Sequence, residues 1–214
     1  MTDLIKIQLD AAAHDEPSAR YNSVAILLHW VMAAAIVGML LMGIVMDDLQ
    51  DPAWKAILYP LHKSIGITIL LLSLLRLGWR LAHRPPPLPQ GSQLWEKMAA
   101  RLTHAGFYLL MIAMPLSGWA MSSAFSGGKP MLLYGLIPWP SLPGLDGGGV
   151  EEQKALAKQF YELHELLANA LWLLLALHVG AALMHHFWRR DEVLLRMTPR
   201  WSAPLLRRLR RESD

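Results

Sequence analysis

The stretch from Leu163 to Trp188 is almost wholly apolar and long enough to cross a bilayer at about 1.5 Å per residue. It nonetheless carries His164 and His178, fourteen residues apart. That spacing is close to four helical turns, so both imidazoles point to one face, about 21 Å apart along the axis. A ring nitrogen without a partner in hydrocarbon is costly. A single histidine of this kind reads as an interhelical hydrogen-bonder. Two on one face, near opposite leaflets, read as two stacked sites.

Composition narrows the class. Of 214 residues 54% are hydrophobic, with nine Trp and twelve Met, and the apolar residues gather in four long runs. These features make one modest domain of the membrane class. With no Cys, the chain has no disulfide, iron–sulfur ligand or covalent attachment point for a c-type haem. The net charge of +3 does not imply a nucleic-acid partner. The basic residues flank the apolar runs and are not interleaved with aromatics.

The expected architecture is an all-α integral membrane protein, a four-transmembrane-helix bundle over residues 21–200. A polar cytoplasmic lead precedes it (1–20) and a basic cytoplasmic tail follows (201–214), suited to anionic lipid. The first run, Val24 to Met46, is too long for a signal-peptide core and reads as a retained helix. An acidic loop closed by Pro60 should separate it from a second run that begins at His62 and ends near Leu81. Residues 83–97 read as an extended proline-rich link, and the third run, Leu102 to Ala124, holds Pro115, expected to kink it. The Gly- and Pro-rich 125–150 segment reads as an irregular loop with Tyr134 and Trp139 at the interface. Residues 151–162 form an amphipathic helical lead into the fourth span.

Charge sets the orientation. The side holding both termini and the 83–101 link carries fifteen Lys and Arg, the other side five. The positive-inside rule places both termini in the cytoplasm. His29 on the first helix then matches His178 in depth near the inner leaflet, and His62 on the second matches His164 near the outer.

Two paired imidazoles at each depth suit two six-coordinate haems stacked across a helix bundle. Four residues after each histidine stands a small one, Ala33, Gly66, Ala168 or Ala182, leaving room for a porphyrin. Arg76, fourteen residues after His62, reaches inner-pair depth and is a candidate for a haem propionate, with snorkelling to the interface as the alternative. His104 is a rival for the inner iron, though Tyr108 four places on would crowd a porphyrin. His185 shares the face of His178 and is a candidate for a quinone carbonyl or a propionate; His186 is turned away. Interhelical hydrogen bonding is the plain alternative for each histidine. Zinc or copper would find too few ligands in either pair for a closed site.

The pieces LLHW (27–30), LHKSIG (61–66), HAGFYLLMIAMPLSGW (104–119), LHELLAN (163–169) and ALHVGAALMHHFWRRDEVLLRMTPR (176–200) carry a resemblance. Over residues 21 to 200 the chain resembles the bacterial cytochrome b561 family, most of all its superoxide oxidase branch. The resemblance implies a four-helix protein of the bacterial inner membrane holding two haem b groups. His29 with His178, and His62 with His164, would be the axial ligands. It implies electron transfer to ubiquinone, with superoxide oxidised to O₂ on the periplasmic side, and makes Arg76 and His185 candidates to touch quinone.

The outer segments sit less well with an anionic substrate. Asp47, Asp48, Asp51, Asp146, Glu151, Glu152, Glu162 and Glu165 face five lysines there, of which Lys63 and Lys158 flank the outer histidines. Two other functions remain open. One is an electron-transfer subunit for a dehydrogenase or hydrogenase partner. The other is a haem-free metal transporter or membrane scaffold.

Overall fold

The computed structural model describes residues 20–83, 85–87, 93–127, 129–145 and 147–212. The expected lead over 1–19 and part of the proline-rich link lie outside them. In hydrocarbon each backbone N–H and C=O must bond within its own segment, so the four apolar runs form helices. They are α1 (Ser23–Asp47), α2 (Pro52–Ala82), α3 (Leu94–Ser126) and α4 (Val150–Leu183). All four are long and apolar enough to cross a membrane, α4 together with the turn that continues it to Trp188.

Local chemistry sets the ends. Asn22 caps α1 by accepting from Ala25 N at 2.8 Å, and the same oxygen accepts from Trp79 Nε1 at 3.2 Å, tying the start of α1 to the end of α2. Asp51 caps α2 in the same way, with Pro52 in the first turn. The second helix therefore starts ten residues before His62, and Pro60 lies inside it rather than ending the loop. Proline tolerates this position because a membrane bundle can satisfy the freed carbonyls from neighbouring side chains. Residues 151–162 are continuous with α4.

The 125–150 segment is more ordered than its composition suggests. Strands β1 (Met131–Leu133) and β2 (Ile137–Trp139) pair antiparallel, with Leu133 opposite Ile137. Tyr134 and Gly135 turn between them at φ 53° and 73°. The hairpin is pinned to α2: Tyr134 N donates to Ser64 Oγ at 2.8 Å, and the Tyr134 and Thr68 hydroxyls meet at 2.7 Å.

At the opposite end, a π-helical turn (Met184–Trp188) leads to α5 (Val193–Met197), a 3-10 turn (Arg200–Ser202) and α6 (Ala203–Glu212). Trp30 Nε1 donates to Met197 O at 2.8 Å and Tyr21 N to Arg196 O at 3.2 Å, so this plate closes over the start of α1. Arg210 bridges Glu192 and the carbonyls of Arg190 and Asp191.

The interior core is small, as expected where lipid covers the outside. Met32, Ile36, Leu40, Ile69, Leu110, Met111 and Leu171 form one buried cluster drawn from all four helices. Ile36 lies seven residues after His29, Ile69 seven after His62, and Leu171 seven from both His164 and His178. The cluster is thus an apolar layer midway between the two histidine depths. Outward-facing Leu27, Leu109, Leu173 and Leu177 remain exposed to lipid.

Candidate functional site

The four histidines assigned by depth come together in the expected pairs. His29 on α1 and His178 on α4 have ring centroids 6.2 Å apart at 62°, and His62 on α2 and His164 on α4 are 6.2 Å apart at 68°. The helices they join scarcely touch. α1 packs on α2, α2 on α3 and α3 on α4, whereas α4 makes no comparable backbone contact with α1 or α2. Each pair therefore reaches across an opening in the bundle. Beside His62, a Cβ built on Gly66 would meet only Met39 Cε, at 3.9 Å.

The donor set fits a flat, axially bound group. Two imidazoles sharing one metal, each with a bond of about 2 Å, put their ring centroids roughly 6 Å apart. Among the described residues no group of three or more His, Cys, Asp and Glu could close around a metal ion, and the two nitrogens of each pair would suit a metal whose other positions a tetrapyrrole fills. His62 Nδ1 is buried without a hydrogen-bond partner.

His104 also lies 6.2 Å from His178, at 77°. Distance does not separate it from His29, but packing does. His104 approaches across the most closely packed seam of the bundle, where a Cβ on Gly106 would already be 3.2 Å from Leu174 Cδ2. Its Nδ1 donates to the Ala100 carbonyl at 2.6 Å. The residue four places after His104 is Tyr108, not a small one.

Arg76 reaches the His29 depth, with Nη2 3.0 Å from His29 Nδ1. It helps line a cavity of about 180 Å³ with Arg20, Arg80, Tyr21, Tyr108 and His83. Three guanidinium groups thus face one space whose lining includes no carboxylate among the described residues. That is the electrostatic setting for a dianionic group such as a pair of propionates.

His185 is in the π-helical turn, with Nδ1 2.5 Å from Asp191 Oδ2. Asp191 Oδ1 accepts from Val193 N at 3.0 Å, which fixes the carboxylate. Next to this dyad, Arg189 pairs with Glu96 at the start of α3. His186 is fully buried, and its Nε2 donates to the Leu206 carbonyl at 3.1 Å, holding α6 in place. Neither pairing is visible in helical spacing, because the π turn changes the phase of the faces.

Ser117 is the residue that sequence reasoning missed. Its Oγ lies 2.9 Å from His164 Nδ1. No local pattern links two residues 47 positions apart.

Four apolar helices with imidazoles paired at two depths define a multi-pass membrane protein, with the donor set of a bis-imidazole cofactor site. The chain belongs to the prokaryotic cytochrome b561 family, whose model matches residues 20–200. It is a membrane cytochrome b of electron transfer, and the family implies b-type haem. Cytochrome b561 homolog 2 of Escherichia coli (strain K12) is 35% identical over 186 residues, covering 86% of this chain and 94% of the relative. Cytochrome b561 homolog 1 of the same strain is 29% identical over 188 residues, with 85% and 98% covered. A protein of Yersinia pestis named probable superoxide oxidase CybB is 30% identical over 185 residues, with 85% and 97% covered.

Proposed function

We propose that the chain is a dihaem cytochrome b of the bacterial inner membrane that oxidises superoxide at its periplasmic end and reduces ubiquinone at its cytoplasmic end. Two superoxide anions yield two O₂ and two electrons; ubiquinone takes up those electrons and two protons to become ubiquinol. The observation that carries the haem count is the matched pair of imidazole couples, each 6.2 Å across, at two depths of one bundle. Two b-type haems bound there supply one-electron redox centres that no side chain of the protein can supply.

The residues divide the remaining work. His62 and His164 hold the outer group, His29 and His178 the inner. Arg76, with Arg20 and Arg80 beside it, neutralises propionates at the inner end. His185 is oriented by Asp191 through Nδ1, and in its imidazolium form, with that carboxylate as counter-charge, Nε2 would donate to a quinone oxygen and pass it a proton. The orientation rests on the excess of Lys and Arg at the end where α6 lies. The choice of superoxide rests on likeness to the Yersinia pestis protein.

A second reading, as electron carrier for a dehydrogenase or hydrogenase partner, is favoured by the charge at the hairpin end. There Lys154 is paired with Glu151 and Lys158 with Glu162, which weakens the attraction of a small anion. Purified protein tests both readings. Absorption spectra with a haem-to-chain ratio should give two b haems, reduced by superoxide and reoxidised by a ubiquinone analogue. Two haems that superoxide leaves oxidised would favour the carrier. Colourless protein with bound metal would favour the transporter or scaffold and overturn both haem readings.

A further inference from the structure

We infer that Ser117 is a positioning residue for the outer haem, setting the tautomer and donor strength of its ligand His164. The inference rests on the dihaem reading and assigns a role to α3, the helix that supplies no axial ligand in that scheme.

The geometry fixes the proton. His164 Nδ1 stands 2.9 Å from Ser117 Oγ and 3.1 Å from the Met114 carbonyl, and Ser117 Oγ donates to that same carbonyl at 2.7 Å. A carbonyl oxygen only accepts, and the hydroxyl hydrogen is already given to it, so both neighbours accept from Nδ1. The ring proton is therefore on Nδ1, and Nε2 keeps the lone pair that iron needs. A hydrogen bond from the far nitrogen of a metal-bound imidazole fixes ring orientation and raises ligand basicity.

The backbone of α3 is shaped for this grip. Pro115 has no N–H, so it leaves the Met111 carbonyl without its helical donor, and Ser73 Oγ approaches that carbonyl at 3.4 Å. One turn on, Gly118 lets the ring come close. A Cβ there would lie 3.2 Å from His164 Cε1 and 3.4 Å from Nδ1. Pro115, Ser117 and Gly118 thus form one device within four residues. His62, across the same opening, has a buried Nδ1 with no hydrogen-bond partner, so the two outer ligands are unequal. His164 is the anchored one.

Removing the hydroxyl weakens the bond from Nδ1, makes the imidazole a poorer donor and destabilises ferric iron relative to ferrous. The test is a redox titration of the full-length protein in detergent, following each haem by its absorption band. Ser117→Ala should raise the outer midpoint potential and leave the inner one unchanged, with two haems still bound per chain. Ser117→Thr, which keeps the hydroxyl, should restore the original value. An outer potential that is the same in Ser117→Ala and the parent protein would overturn the inference. If Ser117→Ala loses the outer haem, recovery of haem and potential in Ser117→Thr supports the role, and failure to recover it overturns the role. Parent protein that binds no haem, or an outer haem that survives His164→Ala unchanged, would sink the dihaem reading instead.

Discussion

Arg76 Nη2 stands 3.0 Å from His29 Nδ1, which makes the guanidinium the donor and the ring nitrogen the acceptor. The ring proton is then on Nε2. Iron ligation through Nε2 needs the opposite tautomer, so this contact and a seated inner haem exclude each other. On the dihaem reading, seating of the inner haem would require Arg76, which also lines the cationic cavity, to release His29. Arg76→Leu should therefore weaken inner-haem retention about 10–100-fold, the worth of a lost hydrogen bond to a charged group. Haem transfer to apomyoglobin reads it out. Equal loss rates for both haems would rule the propionate role out.

Ligand assignment predicts a pattern across five variants. His62→Ala and His164→Ala should lose mainly the outer haem, His29→Ala and His178→Ala mainly the inner. His104→Ala should keep both, because α3 and α4 are the most closely packed helix pair and Tyr108 stands one turn after His104. A pyridine haemochrome assay on each variant checks the pattern. Loss of the inner haem in His104→Ala but not in His29→Ala would exchange the two residues.

The His185–Asp191 dyad predicts a split between binding and turnover. Asp191→Asn keeps the shape but removes the carboxylate that orients the ring. Haem content and spectra should be unchanged, while quinone-driven reoxidation of reduced protein slows about 100-fold, the lower end of the range for general-acid groups. Stopped-flow absorbance measures it. Reoxidation at the parent rate would remove His185 from the quinone reaction.

The hairpin over the outer pair hangs on few bonds. Ser64→Ala deletes the acceptor for Tyr134 N and a donor to the Pro60 carbonyl, each worth about 1 kcal/mol. Residues 131–139 should open more often while the helices hold. Amide exchange should rise there and stay unchanged in α3 and α4. Uniform exchange in parent and variant would show that the clamp lies elsewhere.

Much of the bundle and its site is legible in the residues alone, for specific reasons. Apolar length fixes helices in a bilayer, and a fourteen-residue interval returns to the same face, so depth brings His62 to His164 and His29 to His178, with His104 left as a rival at the inner level. What the sequence hides is set by contacts across the bundle. Pro60 looks like a helix terminator because it has no N–H to give the carbonyl four residues back, yet α2 runs through it. The Tyr134–Gly135 turn is a short-range signal, but Pro138 beside it weakens the reading as a strand. Ser117 reads as one more small residue in an apolar helix until His164 is placed against it. His185 lies in a π turn that 3.6-residue spacing does not foresee, and its partner Asp191 depends on that turn.

The side chains of the Ile36, Ile69, Leu110 and Leu171 layer offer nothing that can relay a proton, and the nearby Ser73 hydroxyl is committed to backbone carbonyls. An electron crossing this layer travels without a compensating ion, so each transfer moves one charge through the membrane's electric field. Across the whole field that work is about 2.3 kcal/mol for each 100 mV, and a step between the two depths takes its share of it. On the proposed dihaem reading, turnover in sealed vesicles should therefore be voltage-sensitive: an interior-negative membrane would oppose inward transfer, so the rate would follow the energised state of the cell.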